Sequence, residues 1–314
     1  MAEYTTLADL DQAKIRACYG IDEIVSLEPV PGGAANSSFR LGGTRAGVDV
    51  DYALTILDND PAAAPRLAAL LARLDGHFRT TELVSAVDGK CVVEIDGRVM
   101  ILKQWIDGSV YPVLPAELLG KAGAALAQLH RVPTTAVTGP ERLPSDGRRL
   151  TAAHRSRIAD FGDRAFADWL TTRLAALDHI SSGRSLALIH GDLYSDNIIV
   201  SDAGELVVID WETACLEDPL LDLGMAVLGL GVVDGRLHPD RADAIVDGYS
   251  GVVPVTASER AGVLRDMVEL SALIIAFHRY YRHNVRYPGS PAADRYREMV
   301  GIVASLPARA LTGR

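Results

Sequence analysis

Leu188-Ile189-His190-Gly191-Asp192-Leu193-Tyr194-Ser195-Asp196-Asn197-Ile198-Ile199-Val200, followed by Leu206-Val207-Val208-Ile209-Asp210-Trp211-Glu212, runs from an apolar approach into a polar loop and out again. The loop holds Asp192 and Asn197. An apolar strand follows, the Asp202-Ala203-Gly204 turn reverses the chain, and a second apolar strand delivers Asp210. A strand–turn–strand of this length folds back on itself, so Asp210 is expected beside Asn197. Two carboxylates and one amide oxygen would then surround a single point. Phosphoryl transfer from ATP needs this set. One carboxylate orients an attacking hydroxyl and takes its proton, while a second carboxylate and a neutral amide oxygen hold Mg2+ on the phosphates. The transition state is loose, so the protein mainly positions groups and neutralises charge.

Outward from this segment, the chain changes character near residue 107. Before it, short β-type runs at 37–41, 52–57, 91–95 and 99–105 alternate with Gly42-Gly43, Asp88-Gly89 and Asp96-Gly97, which read as hairpin signals. One helical stretch, 61–74, interrupts them with Leu67, Leu70, Leu71 and Leu74 at helical spacing. After Asp107-Gly108 the pattern turns helical. Residues 118–130 carry Leu119, Ala122, Leu126 and Leu129 on one face, and 164–177 reads as a further helix. The expected architecture is α+β, not alternating βαβ: a β-rich lobe over 1–106 and a larger helical lobe over 107–314.

The H-x-D-x-x-x-x-N loop followed by Ile-Asp-Trp-Glu resembles the aminoglycoside-phosphotransferase and choline-kinase superfamily. So do Asp218-Pro219-Leu220-Leu221-Asp222-Leu223-Gly224 and the 123–130 helix ending in His130. The resemblance implies a two-lobed protein-kinase-like fold. It implies Asp192 as catalytic base, Asn197 as a Mg2+ ligand, Asp210 as the principal Mg2+ ligand and Asp222 as a buried brace of the loop. His190 reads as a structural member of the loop.

The nucleotide side departs from that pattern. Pro31-Gly32-Gly33-Ala34-Ala35-Asn36-Ser37-Ser38-Phe39 reads as a glycine-rich strand–turn–strand whose backbone N–H groups would cover phosphates, with Asn36, Ser37 and Ser38 as ATP-binding residues. No Gly-Lys-Ser/Thr follows, so it is not a Walker A loop. In the strand 52–57, where relatives of this fold carry a phosphate-binding lysine, Thr55 stands, and the helix after it lacks the partner glutamate. Lysine is scarce, occurring only at 14, 90, 103 and 121. Lys103 is expected to supply the missing charge, with Arg40 as a weaker candidate. The Asn-Ser-Ser-Phe stretch with the Ala-Leu-Thr-Ile-Leu strand is similar to the homoserine-kinase (type II) branch, where a Leu-Thr-Leu strand also occurs. Gln104-Trp105-Ile106-Asp107-Gly108 fits a connector that hydrogen-bonds adenine through Gln104 and Ile106.

On the acceptor side, Trp211 and Glu212 are expected to face the pocket, Glu212 meeting an amine. His278, Arg282 and Arg286 recur at helical spacing, and Arg282 and Arg286 are expected to clamp a carboxylate. An acid for an amine and an arginine for a carboxylate suit an amino-acid acceptor.

The rest of the composition sets other classes aside. Acidic residues outnumber basic ones, 41 to 31, in 314 residues, which argues against nucleic-acid or anionic-membrane binding. Cys18, Cys91 and Cys215 are scattered and form no Cys-x-x-Cys pair. The N-terminus shows no signal-peptide pattern and no apolar run approaches the ~20 residues of a membrane span. The sequence therefore reads as a cytoplasmic ATP- and Mg2+-dependent small-molecule kinase, monomeric or homodimeric. Homoserine or a similar hydroxy-amino acid leads the acceptors. An antibiotic phosphotransferase of the aminoglycoside type and a non-catalytic kinase-fold nucleotide-binding regulator are the alternatives.

Overall fold

The computed structural model describes residues 5–31 and 36–307, so Gly32 to Ala35 of the glycine-rich turn lie outside the described residues. The chain divides into two compact units. The first gathers Met1–Ser109, Thr135–Ser145 and Ile199–Glu212, and the second Val110–Thr134, Asp146–Ile198 and Thr213–Arg314. The chain thus crosses between units more often than a single boundary at 106/107 allows. From Ile199 onward the hairpin of Ile198–Ser201 and Leu206–Val208 groups with the first unit, where Gly108–Ser109 pairs with it, Ser109 opposite Val200.

In the first unit, β1 (Glu23–Pro29), β2 (Ser37–Arg45), β3 (Val48–Ile56), β4 (Leu83–Val84), β5 (Val92–Ile95) and β6 (Arg98–Gln104) form one sheet in the order β1-β2-β3-β6-β4, with β5 also on β6. Every pairing is antiparallel. The β2–β3 turn is made by Ala46-Gly47 and the β5–β6 turn by Asp96-Gly97, each pair with positive φ at both residues, the requirement of a tight two-residue hairpin. Gly42-Gly43, expected to turn, instead lies inside β2. A Cβ on Gly43 would come within 2.2 Å of the Glu23 carbonyl oxygen on β1, so glycine serves close strand approach there.

Alternation puts Phe39, Leu41, Tyr52, Leu54, Ile56, Met100 and Leu102 on one face, where they form a core with Ile15 and Tyr19. Those two belong to α1 (Gln12–Tyr19), capped by Asp11, which accepts from Lys14 N at 3.1 Å, and ended by Gly20 at φ 62. The opposite face carries Ser38, Arg40, Ala53, Thr55, Ile101 and Lys103. Register pairs Ser38 with Thr55, Thr55 with Ile101, Arg40 with Ala53 and Ala53 with Lys103. The helix expected at 61–74 is α2 (Ala64–Leu74) preceded by one 3-10 turn, and it buries Leu67, Leu70, Leu71 and Leu74.

The second unit is helical: α3 (Ala116–His130), α4 (Arg164–Ala176), α5 (Pro219–Gly231), α6 (Pro239–Ser250), α7 (Arg265–Tyr280) and α8 (Tyr296–Ser305). α5 is buried along nearly its whole length and packs against α3, α6 and α7. A Cβ on Gly229 of α5 would lie 2.2 Å from the Leu193 carbonyl oxygen, so this glycine lets the central helix pass directly under the polar loop. Ala187–Ile189 pairs with Cys215–Glu217, Ile189 opposite Cys215, and fixes both ends of the segments entering and leaving that loop. Among the described residues no helix is long and apolar enough to cross a membrane.

Candidate active site

The polar loop of the second unit is held from below by one carboxylate. Asp222, in the first turn of α5, is fully buried. Its Oδ2 accepts from His190 N at 2.8 Å and its Oδ1 from Gly191 N at 2.7 Å. His130, the last residue of α3, sets its Nε2 3.0 Å from Asp222 Oδ2, and its Nδ1 lies 2.8 Å from the Tyr249 hydroxyl on α6. Burial alone would push the Asp222 carboxyl up. The hydrogen bond and charge of His130, the charge of His190 and the Gly191 N–H together outweigh it and hold the group below the ordinary carboxylate range. The helix N-terminus favours the same negative charge. Asp222 thus holds two successive backbone N–H groups of the loop and one imidazole.

With His190 and Gly191 pinned, Asp192 follows at a fixed place. Its N–H donates to His190 Nδ1 at 3.3 Å, and its carbonyl accepts from Asn197 Nδ2 at 2.8 Å. His190 is fully buried and acts as a loop member, its ring nitrogen occupied by the backbone. Asn197, with its amide nitrogen committed to the loop, offers its Oδ1 as a neutral oxygen donor.

An unexpected residue joins this group. Arg148 lays its guanidinium across the loop, donating Nε to the Gly191 carbonyl at 2.6 Å and Nη2 to Asp192 Oδ1 at 3.2 Å. Gly191 sits at φ +81, and a Cβ there would be 3.1 Å from the Thr213 carbonyl oxygen and 3.2 Å from Arg148 Cδ. Only glycine suits both the backbone conformation and the crossing arginine. Thr213 Oγ1 completes the loop's support by donating to the His190 carbonyl at 2.7 Å.

In the first unit the other end of the hairpin delivers Asp210. This aspartate has φ 66, the left-handed region that L-residues avoid, and non-glycine residues held there concentrate at functional sites. Asn197 immediately precedes one hairpin strand and Asp210 follows the other by two residues. A carboxylate and an amide oxygen are hard donors of the kind Mg2+ takes.

Trp211 does not face an acceptor. It is 2% exposed; its Nε1 donates to Thr80 Oγ1 at 2.8 Å and to the Val208 carbonyl at 3.1 Å, and its ring meets Phe78 edge-on at 5.7 Å. Trp211 is an anchor of the hairpin on the loop before β4. Trp211→Phe should remove the indole donor shared by Thr80 Oγ1 and the Val208 carbonyl, which the Thr80 hydroxyl itself still reaches, and cost about 1–2 kcal/mol, read as an earlier urea midpoint with unchanged slope. No shift in midpoint would show that the indole N–H contributes nothing.

Glu212 lies beside the glycine-rich turn, its Oε1 accepting from Asn36 Nδ2 at 3.0 Å. Ser37 N donates to Asp58 Oδ2 at 2.8 Å, so Asp58, which no motif marked, tethers the end of that turn. Asn36 Oδ1, Ser37 Oγ and Thr55 Oγ1 are buried with no hydrogen-bond partner among the described residues. Thr55 is 4% exposed. On the same face of the sheet Arg40 is committed, forming a two-pronged pair with Asp51 at 3.1 and 3.0 Å and lying 4.7 Å over the Trp105 ring. Lys103, in the same register row as Arg40 with Ala53 between them, has no hydrogen-bond or ion-pair partner among the described residues.

At the connector, Gln104 N donates to the Glu82 carbonyl and Trp105 N to the Asp51 carbonyl, at 2.9 and 3.1 Å. The Gln104 N–H is therefore spent within the sheet. Ile106 N–H has no partner among the described residues. A cavity of about 960 Å³ in this unit is bordered by Gln104, Trp105, Ile106, Val207, Phe78 and Leu71, among others; neither Thr55 nor Lys103 borders it.

Arg282 and Arg286 fall outside the regular helix. α7 ends at Tyr280, and Tyr281–Arg286 forms a π turn. The wider turn breaks the i,i+4 stacking that would have aligned them under His278. Arg286 is exposed and stacks on Tyr287 at 5.3 Å.

Comparison with known proteins places these features. The family described as the phosphotransferase enzyme family (APH) matches residues 26–261. A homoserine kinase of Gluconacetobacter diazotrophicus is 28% identical over 282 residues, spanning 83% of this chain and 82% of that protein. The homoserine kinase of Methylobacterium radiotolerans is 26% identical over 269 residues, spanning 84% and 83%. Among solved structures, an amicoumacin kinase in complex with AMP-PNP, Ca2+ and Ami superposes with a TM-score of 0.67 at 14% identity, over 96% of this chain and 95% of that one, a likeness of fold.

Proposed function

This chain belongs to the phosphotransferase enzyme family, and from that premise we propose that it phosphorylates the hydroxyl of a compact hydroxy-amino acid, homoserine first among them. It is an ATP-dependent small-molecule kinase with an alcohol acceptor. The observation that carries the finer reading is the loop of the second unit. A fully buried Asp222 grips two successive backbone N–H groups so that Asp192, the next residue, is presented with its own backbone tied at both ends. Asp192 orients the acceptor hydroxyl and takes its proton as the bond to the γ-phosphate forms.

Mg2+ would be held by Asp210, the principal ligand, and by Asn197 through its amide oxygen, and would neutralise charge on the phosphates. The rest of the nucleotide's binding falls to the first unit. Ile106 N–H is the connector's open donor for a purine edge, and Gln104, whose own N–H is engaged, contributes its carbonyl. Asn36, Ser37 and Ser38 stand where the glycine-rich turn enters β2. Thr55 replaces the lysine of related kinases and brings no charge, so Lys103 supplies it from the neighbouring strand. Glu212 offers a carboxylate to the acceptor's ammonium, in company with Asn36. The homoserine kinases that align over more than four-fifths of both chains support this acceptor class.

Release of ADP with a panel of L-homoserine, choline and aminoglycosides tests the reading; turnover of an aminoglycoside and not of homoserine would sink it. Lys103→Ala should raise the KM for ATP about tenfold, the weight of one charge-assisted phosphate contact, with a smaller change in the acceptor KM. Unchanged steady-state constants would remove Lys103 from the site.

A further inference from the structure

We infer that Arg148 determines acceptor specificity: the open edge of its guanidinium takes the carboxylate of the acceptor while Asp192 beside it takes the hydroxyl. This rests on the hydroxy-amino-acid reading above and names the group that would select for it.

Arg148 stands outside every motif, in the stretch where the chain re-enters the second unit. Its side chain is 12% exposed, so it is already largely stripped of water. Nε and one N–H of Nη2 are engaged by the Gly191 carbonyl and Asp192 Oδ1. That uses two of the guanidinium's five N–H groups. The Nη1 group has no partner among the described residues, and Nη2 keeps one more N–H beside it. Together they form the end-on edge that a carboxylate engages with two parallel hydrogen bonds.

A buried arginine with its outer edge unmet is a costly arrangement unless a ligand completes it. A second group nearby is in the same condition. The Tyr194 hydroxyl, two residues after the base, is buried with no hydrogen-bond partner among the described residues and lies within electrostatic reach of both Asp192 and Arg148. On the flank contributed by α7, Arg279 also lies within electrostatic reach of the Tyr194 hydroxyl and is itself paired with Glu298. Burial, and after it the charges of Arg148 and His154, push the His278 imidazole down to about 3, so it is neutral at physiological pH.

Size fits as well. In a four-carbon hydroxy-amino acid the hydroxyl oxygen and the carboxylate carbon are separated by one C–O and three C–C bonds, a reach of about 5 Å at ~1.5 Å per bond. Arg148 already touches the base at 3.2 Å, so one short molecule can meet both. Arg286 is exposed and stacks on Tyr287.

The experiment compares L-homoserine with 3-amino-1-propanol, the same amino alcohol without its carboxylate, at saturating ATP in wild type, Arg148→Gln and Arg148→Lys. Wild type should prefer homoserine in kcat/KM by at least about 10²-fold, as expected for a site built to hydrogen-bond a polar group. In Arg148→Gln that preference should collapse to within about threefold, chiefly through the homoserine KM, and Arg148→Lys should restore part of it. Equal losses on both acceptors would overturn the inference, because Arg148 would then act only through Asp192. An unchanged preference would overturn it too. If Arg148→Gln is not folded by circular dichroism, the Arg148→Lys ratio decides on the same terms: a preference still at the wild-type value overturns the inference. Wild type that turns over neither compound defeats the hydroxy-amino-acid reading itself, an outcome visible without any variant.

Discussion

Asp192→Asn should lower kcat by about 10²–10⁴-fold while the affinity for nucleotide moves by less than about threefold. The asymmetry follows from how the loop is built. The Asp192 N–H is tied to His190 and its carbonyl to Asn197, and the two preceding N–H groups are tied to Asp222. An isosteric amide therefore leaves the backbone in place and removes only the ability to take a proton. Its Oδ1 position still accepts from Arg148. Steady-state ADP release gives kcat, and displacement of a fluorescent nucleotide gives affinity. A variant within tenfold of wild-type kcat would remove Asp192 as the base.

Asp222→Ala should cost about 3–5 kcal/mol of stability, because it strands two backbone donors and one imidazole in a fully buried place, each worth about 1–3 kcal/mol when left unpaired. For a chain of this size that corresponds to a fall in Tm of about 10 °C, or to insoluble protein. A Tm within about 2 °C of wild type would show that the brace is dispensable. The charge also gives a pH dependence. The folded carboxyl titrates below its unfolded value, so its contribution is fully present above the ordinary carboxylate pKa of about 4 and is lost as pH falls through the lower folded value. Stability in Asp222→Asn should accordingly respond less to acid over that range than wild type does, as measured by urea midpoints between pH 5 and the acid limit.

The loop and its brace were legible because they are local. His190, Asp192 and Asn197 lie within one short segment, and Asp222 opens the next long helix behind an Asp-Pro cap. His130 was legible as a helix terminus, although its contact with Asp222 joins elements far apart in sequence and follows from packing. Arg148 left no trace in the sequence, since an arginine in an irregular stretch has no periodicity and its partners are carbonyl and carboxylate groups of another segment. Trp211 was expected at the pocket from its place after Asp210, and its burial against Thr80, Val208 and Phe78 follows from packing that no motif marks. Arg282 and Arg286 were aligned by a helical period that widens at Tyr281. β1 escaped notice because an edge strand that ends in proline and carries Glu23 and Glu28 has a mostly exposed pattern. α1, by contrast, was readable in principle: Asp11 and Gly20 are its cap and stop. The α+β architecture itself survives these misreadings, because it depends on where strands give way to helices and not on single side-chain directions.

The left-handed backbone at Asp210 sets fitness against robustness. Glycine would adopt that conformation free of a strain of about 1 kcal/mol, so, on the proposed Mg2+ role of Asp210, a laboratory lineage bred only for heat tolerance would be drawn toward Asp210→Gly at the expense of turnover. Breeding for turnover would hold the aspartate and accept the weaker fold, and the codon at this position would report which pressure had prevailed.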